Sequence, residues 1–120
     1  MNASNLLRKV AQPGALALAA LLAGCVAPNV TYIKVGERVC SPISTEQVKV
    51  VQGVPHSAYY VANITAKAEG TDQRAADADV VALKQKSAEL GANRLVLRHW
   101  QISPAGNCYW MTAHAFRVED

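Results

Sequence analysis

The sequence predicts an α+β domain in which a small mixed or antiparallel sheet of about four strands packs on one main helix. Two observations carry this prediction. Runs rich in β-branched or alternating residues lie on both sides of one long segment with apolar residues at helical spacing, and the last two runs flank a turn-forming cluster. The chain has 120 residues, of which 51% are hydrophobic, so it has room for one such domain. We place that domain at residues 31–120.

Three candidate strands precede the helix. Residues 31–35 alternate weakly, as an edge strand does, and residues 48–51 are largely β-branched and stop before Gly53. Residues 59–67 form the next run with strand-forming side chains. The first half of the domain is therefore expected to contribute strands only.

The helix has signals for both of its ends. Asp72 is a good N-cap, and Gly91 is typical of the residue that follows a helix. Asp77 and Asp79 follow closely, and we interpret them as solvated carboxylates near the positive end of the helix dipole. The expected core stripe consists of Ala76, Val80, Leu83, Ser87 and Leu90.

A β-hairpin is predicted after the helix. Residues 95–102 and 108–118 are strongly apolar runs, and the intervening residues 103–107 combine Ser, Pro, Gly and Asn. The hairpin therefore completes the sheet.

The N-terminus has the pattern of a lipoprotein signal peptide, which we assign to residues 1–24. Arg8 and Lys9 are followed by an apolar run at residues 15–23, which is too short to span a bilayer. The tetrad Leu-Ala-Gly-Cys that ends at Cys25 resembles the bacterial lipobox, whose cysteine receives a covalent diacylglycerol lipid. Cleavage would make Cys25 the acylated first residue of the mature chain, and residues 25–30 would form a short tether.

The residue after Cys25 bears on the destination of the lipoprotein. It is Val26, whereas Asp at this position commonly retains Gram-negative lipoproteins in the inner membrane. The resemblance to this sorting pattern implies lipid anchoring in the outer membrane, on its periplasmic face. We expect the membrane to be a partner through this anchor, and we expect no cofactor apart from the covalent lipid on Cys25.

Charge argues against a nucleic-acid partner. The signal peptide contains two of the twelve basic residues and none of the nine acidic ones, so the mature chain has a net charge of about +1. The basic balance of the full chain therefore belongs largely to the targeting segment.

A longer motif resembles a known family. Residues 83–97 read LKQKSAELGANRLVL and are followed by a polar turn, Cys108 and a closing strand. This arrangement is similar to the C-terminal half of the RcsF-type lipoproteins of the Rcs envelope-stress phosphorelay, and to several short bacterial lipoproteins. Residues 36–40, which end at Cys40, are a second and weaker point of similarity. The resemblance implies a role in envelope stress sensing or integrity, with an envelope protein or β-barrel as a partner.

The cysteines predict a disulfide. Once Cys25 is acylated, Cys40 and Cys108 remain as a pair in an oxidising compartment, and the RcsF-type fold has a bridge at the matching positions. The family has a second bridge, whose matching positions here are Trp100 and His114, and a long linker that this sequence lacks.

Candidate binding residues lie on the predicted hairpin. We expect a partner-binding surface formed by Trp100, Tyr109, Trp110 and His114, because aromatic side chains are enriched at interfaces. Strand alternation predicts that Trp100, rather than His99, shares a face with His114.

Other chemistry has little support in the sequence. His56, His99, His114 and the thiols lack paired metal-ligand spacing, so no metal site is predicted. No nucleophile motif is present, and we expect no catalysis. Three hypotheses stay open: a protein-interaction module, a redox- or metal-responsive module that uses Cys40 and Cys108, and a purely structural envelope lipoprotein.

Overall fold

A computed structural model describes residues 27–119. The predicted signal peptide and Cys25 lie outside these residues. None of the helices within the described range has the length and apolarity to cross a membrane. The elements are β1 (Asn29–Lys34), β2 (Lys49–Val51), β3 (Tyr59–Glu69), α1 (Gln73–Glu89), β4 (Arg94–Ile102) and β5 (Cys108–Arg117), with a 3-10 turn at Thr45–Gln47 before β2.

The five strands form one mixed sheet in the order β1-β3-β5-β4-β2. The pairs β1–β3, β3–β5 and β5–β4 are antiparallel, and β2 joins β4 in parallel. The α+β class is confirmed, but the sheet has five strands rather than about four, because each of the five candidate runs forms a strand, including the weakly alternating one near residues 31–35. β1 begins at Asn29, so the sheet includes two residues that were predicted to belong to the tether.

Helix α1 begins and ends where its capping residues predict. The side chain of Asp72 accepts a hydrogen bond from the Ala75 amide at 3.1 Å. Gly91 has a φ of +78°, the left-handed conformation that favours glycine after a helix. A Cβ atom at Gly91 would lie 2.5 Å from the Cβ of Cys40. Glycine is therefore required both by the backbone conformation and by the close approach of the chain at Cys40.

The core lies between α1 and one face of the sheet. Small side chains line much of that face, which allows the helix to pack close to the strands. The sheet residues buried in this layer include Ala62, Ile64, Ala66, Leu95, Met111, Ala113 and Ala115. Leu83 is the largest fully buried side chain of the helix. Within residues 27–119, no helix packs on the opposite face.

Asp79 is part of this core, which corrects its interpretation as a solvated residue. It lies on the same stripe as Ala75, Ala76 and Leu83, and its residue is 0% exposed. Neither carboxylate oxygen has a hydrogen-bond partner among the described residues. Burial raises the pKa of Asp79 to about 7. The stripe predicted from the sequence contained only apolar residues and one serine, but the buried side of the helix also contains this carboxyl group.

The predicted disulfide between Cys40 and Cys108 is wrong. Both cysteines are free within residues 27–119. Cys40 lies against Gly91 and lines a cavity with Arg117, the last residue of β5, whereas Cys108 is the first residue of that strand. The length of β5 therefore separates the two thiols by roughly 30 Å, at about 3.3 Å per residue. A disulfide requires Cα atoms within about 7 Å of each other.

Candidate functional site

The candidate site is the sheet face opposite α1, which we call the uncovered face. Met111, Ala113 and Ala115 of β5 point into the core, so the residues between them point the other way. Side chains of β3 that pair directly with these residues continue the same face. The central residues of the uncovered face are Tyr60, Asn63, Thr65 and Lys67 of β3 and Trp110, Thr112, His114 and Phe116 of β5.

Three rings form a cluster towards the end of β5. The ring centroid of Tyr60 is 5.0 Å from that of His114 and 4.9 Å from that of Phe116. Phe116 is only 4% exposed although no helix of the described chain covers it. Burial, together with the nearby charge of Arg98, lowers the pKa of His114, and burial raises the pKa of Tyr60. Both groups are therefore neutral at pH 7 and can donate or accept hydrogen bonds.

A polar hollow lies beside the ring cluster. The cavity has a volume of about 460 Å³. The Thr65 and Thr112 hydroxyls are 3.2 Å apart at its base. The Oδ1 atom of Asn63 is buried and has no hydrogen-bond partner within residues 27–119. Its lining residues are Thr31, Tyr32, Ile33, Asn63, Thr65 and Thr112. Because a buried acceptor without a partner costs free energy, the hollow favours an occupant that donates a hydrogen bond.

The predicted binding residues divide between the two faces of the sheet. Trp110 and His114 lie on the uncovered face. Tyr109 pairs with Ala68 and Ile102, and it packs against the hydrophobic core on the helix side. The four residues therefore do not form one surface.

Trp100 also lies on the helix side, because β4 has an irregular register. The pairing shifts between Leu97 and His99, so His99 lies opposite Thr112 and Trp100 lies opposite Met111. The prediction that Trp100 shares a face with His114 is wrong, and His99 is the residue that shares it. A single extra residue in a strand exchanges the faces of every residue that follows.

The residues of the polar hollow were not predicted from the sequence. Asn63, Thr65 and Thr112 are individually unremarkable, and they meet because β3 and β5 are central neighbours in the sheet. Alternation within residues 59–69 and 108–117 is the signal that separates the core side from the polar side. Alternation does not predict the order of the strands. It is the pairing of β3 with β5 that brings Asn63 and Thr65 next to Thr112.

A second cavity of about 430 Å³ lies at the end of β5 that is farther from Cys108. Two of its charged residues, Arg117 and Glu119, lie 3.5 Å apart, and Arg38, which is outside the cavity lining, donates to the same Glu119 carboxylate at 2.6 Å. The Asn93 amide bonds both the N–H and the C=O of Val118 at 2.8 Å. These contacts hold the C-terminal end of β5 in place.

Metal and thiol chemistry have no assembled site in the described part of the chain. No three His, Cys, Asp or Glu side chains lie close enough together there to hold a metal ion. Cys40 and Cys108 lie at opposite ends of β5, so a reversible bridge between them would require the fold to come apart. The separation of the two thiols weighs against a redox response that joins Cys40 to Cys108.

Comparison with known proteins gives a likeness in fold. No family model matches the chain, and no curated protein matches it. Among solved structures, the Francisella virulence factor FvfA is similar, with a TM-score of 0.61 and 15% sequence identity, over 76% of this chain and 99% of that one. At this identity the match supports the fold alone. The resemblance to RcsF-type lipoproteins remains a prediction from the motif.

Proposed function

We propose that this protein is a lipid-anchored lipoprotein of the outer membrane that acts as a protein-interaction module on the periplasmic side. Its docking surface is the uncovered face of the sheet. The partner is another envelope protein or a β-barrel, as the RcsF-type resemblance implies, and the module serves envelope stress sensing or integrity. No catalytic step is assigned.

The anchor part of this proposal rests on sequence and connectivity. The lipobox-like tetrad ends at Cys25, and β1 begins four residues later at Asn29. With about 3.3–3.6 Å for each extended residue, the sheet would begin within roughly 15 Å of the acylated cysteine. A partner would therefore have to approach the membrane surface, since the domain has no long linker on which to reach outward.

The observation that carries the docking proposal is the composition of the uncovered face. One side of a sheet that packs on a single helix is normally solvated and polar. Here it carries the half-buried rings of Tyr60 and His114, packed on the buried ring of Phe116, beside a hollow that contains the unpartnered acceptor of Asn63. Aromatic contact area next to neutral hydrogen-bonding groups is typical of protein-recognition surfaces.

Site-specific photo-crosslinking in the native envelope tests this proposal. A photoreactive residue at Ile33 or Thr112 reports on the uncovered face, and one at Val81 reports on the outer side of α1. Ile33 and Val81 are both exposed apolar residues, so they form a matched pair. We expect one discrete protein adduct from both positions on the uncovered face and none from Val81.

A substitution adds specificity to the same experiment. Thr112→Arg places a long cation in the polar hollow and should abolish the Ile33 adduct, whereas Val81→Arg should leave it unchanged. Adducts of equal intensity from Val81 and Ile33 would contradict docking through the uncovered face. The absence of any discrete adduct would favour the purely structural role. Intact-mass analysis of the same preparation tests acylation of Cys25 separately.

A further inference from the structure

One end of the sheet gathers the N-terminal entry of the chain and the β4–β5 hairpin turn. Asn29, the first residue of β1, pairs with Lys67 near the end of β3. Two residues further along β3, Glu69 pairs with Cys108 at the start of β5. Ile102, the last residue of β4, pairs with Tyr109. We call this region, with the turn at residues 103–107, the anchored end.

The anchored end exposes large apolar side chains on both faces of the hairpin. Trp100 is 57% exposed and Ile102 is 44% exposed, both on the helix side. Trp110 is half-buried on the uncovered face, where the ammonium group of Lys67 lies 4.5 Å from its ring centroid. Two exposed large apolar side chains and a half-buried tryptophan, at the place where the chain enters the domain, favour contact with something other than water.

A cavity at this end connects the tryptophan to the chain entry. It has a volume of about 420 Å³ and is lined by Ala27, Asn29, Lys67, Glu69, Cys108 and Trp110. Ala27 is two residues from Cys25, so their Cα atoms are at most about 7.6 Å apart, because consecutive Cα atoms are 3.8 Å apart. A lipid attached to Cys25 would therefore enter the bilayer beside this cavity.

We propose that the anchored end binds the headgroup region of the bilayer, with Trp100, Ile102 and Trp110 at the boundary with the acyl chains and Lys67 at the phosphates. The inference rests on the proposed acylation of Cys25. Tryptophan side chains prefer this boundary because they combine a large apolar ring with a polar N–H group. A lysine extends its apolar stem along such a surface and keeps its charge in water.

The anchor makes a weak contact of this kind effective. Once the acyl chains hold Cys25 in the bilayer, the tryptophans meet the membrane at a high local concentration rather than from solution. The contact would fix the orientation of the domain, with the strands pointing away from the membrane. The ring cluster and the Arg38–Glu119 ion pair would then lie farthest from the lipid, and Glu69 would remain in the hydrated headgroup layer.

Tryptophan quenching in vesicles tests the inference. The acylated full-length protein is reconstituted in phosphatidylethanolamine and phosphatidylglycerol vesicles with or without lipids brominated near the headgroup end of the acyl chain. Trp110→Phe leaves Trp100 as the reporter, and Trp100→Phe leaves Trp110. The control is Trp100→Phe, Trp110→Phe and Val39→Trp combined, because Val39 is 88% exposed and lies next to Arg38 at the far end of the sheet.

We expect the brominated lipid to reduce the emission of Trp100 and Trp110 about twofold, because residues at the interface insert about 5–10 Å into the boundary region. The Val39 reporter should keep its emission. An acylated protein in which Trp100 and Trp110 also keep their emission overturns this inference and leaves the anchor intact. Quenching of the Val39 reporter to the same extent overturns the orientation. A chain without acyl mass on Cys25 overturns the anchor and, with it, this inference.

Discussion

Asp79 should make the stability of this domain depend on pH in an unusual direction. Its carboxyl group lies between α1 and the sheet, and burial raises its pKa from 3.8 to about 7. The folded state therefore holds the proton more tightly than the unfolded state does. The stability that this contributes is complete below about pH 4 and is lost as the pH rises to about 7. Each pKa unit corresponds to about 1.4 kcal/mol, so the loss amounts to about 4 kcal/mol.

Urea unfolding of the mature domain between pH 4 and pH 8 measures this loss. We expect the wild-type protein to lose free energy of unfolding across the range relative to Asp79→Asn, which keeps the size of the side chain but does not titrate. His114 acts in the opposite direction, because its pKa is lowered by burial, but it contributes to both proteins and cancels in the difference. Asp77→Asn is the matched control on the same helix, since Asp77 is exposed and bonds only to Gln73 among the hydrogen bonds described. Parallel profiles for the wild type and Asp79→Asn would refute the reasoning.

Three further predictions concern the helix ends and the thiols. Gly91→Ala should lower the free energy of unfolding by about 3 kcal/mol, because it adds both a strained backbone and a clash at Cys40. Gly106→Ala is the control: its φ is similar but its surroundings are open, so it should cost about 1 kcal/mol. Similar values for both variants would show that the close approach at Cys40 does not matter. Asp72→Ala should cost about 1 kcal/mol through loss of the N-cap, measured by thermal unfolding, and an unchanged midpoint would argue against the cap. Non-reduced mass spectrometry should show Cys40 and Cys108 each able to take up one alkyl group after denaturation, and a mass lower by two hydrogens with no uptake would establish the bridge that the fold excludes.

The parts of the fold that could be predicted are those that short stretches of sequence determine. Asp72 and Gly91 act within one turn of the helix, so the bounds of α1 follow from their chemistry. The hairpin follows in the same way from the turn cluster between residues 102 and 108. Local signals of this kind do not depend on what the rest of the chain does.

The parts that could not be predicted depend on strand order and register. Cys40 and Cys108 are the natural pair in the sequence, and only the position of both at opposite ends of β5 excludes their bridge. Trp100 changes face because of the register shift after Leu97, which no residue type in β4 announces. The buried side of α1 is turned slightly about the helix axis relative to the predicted stripe, so that it includes Ala75 and Asp79. Hydrophobic periodicity does not fix this angle closely enough to predict that Asp79 is buried.

Strand β1 has a mechanical consequence for an anchored domain. It is an edge strand that pairs only with β3, and most of its side chains are exposed. Beyond β3 it has few contacts with α1, among them the Lys86 ammonium 5.3 Å from the ring centroid of Tyr32. Edge elements of this kind open at lower free energy than the core of a sheet, so amide exchange should be faster in β1 than in β5. Release of its six residues would lengthen the connection to Cys25 by roughly 20 Å while β3, β5 and β4 stay paired. If Cys25 is acylated as proposed, tension on the anchor would separate β1 from β3 before it disturbs the core, and the domain could then move farther from the membrane.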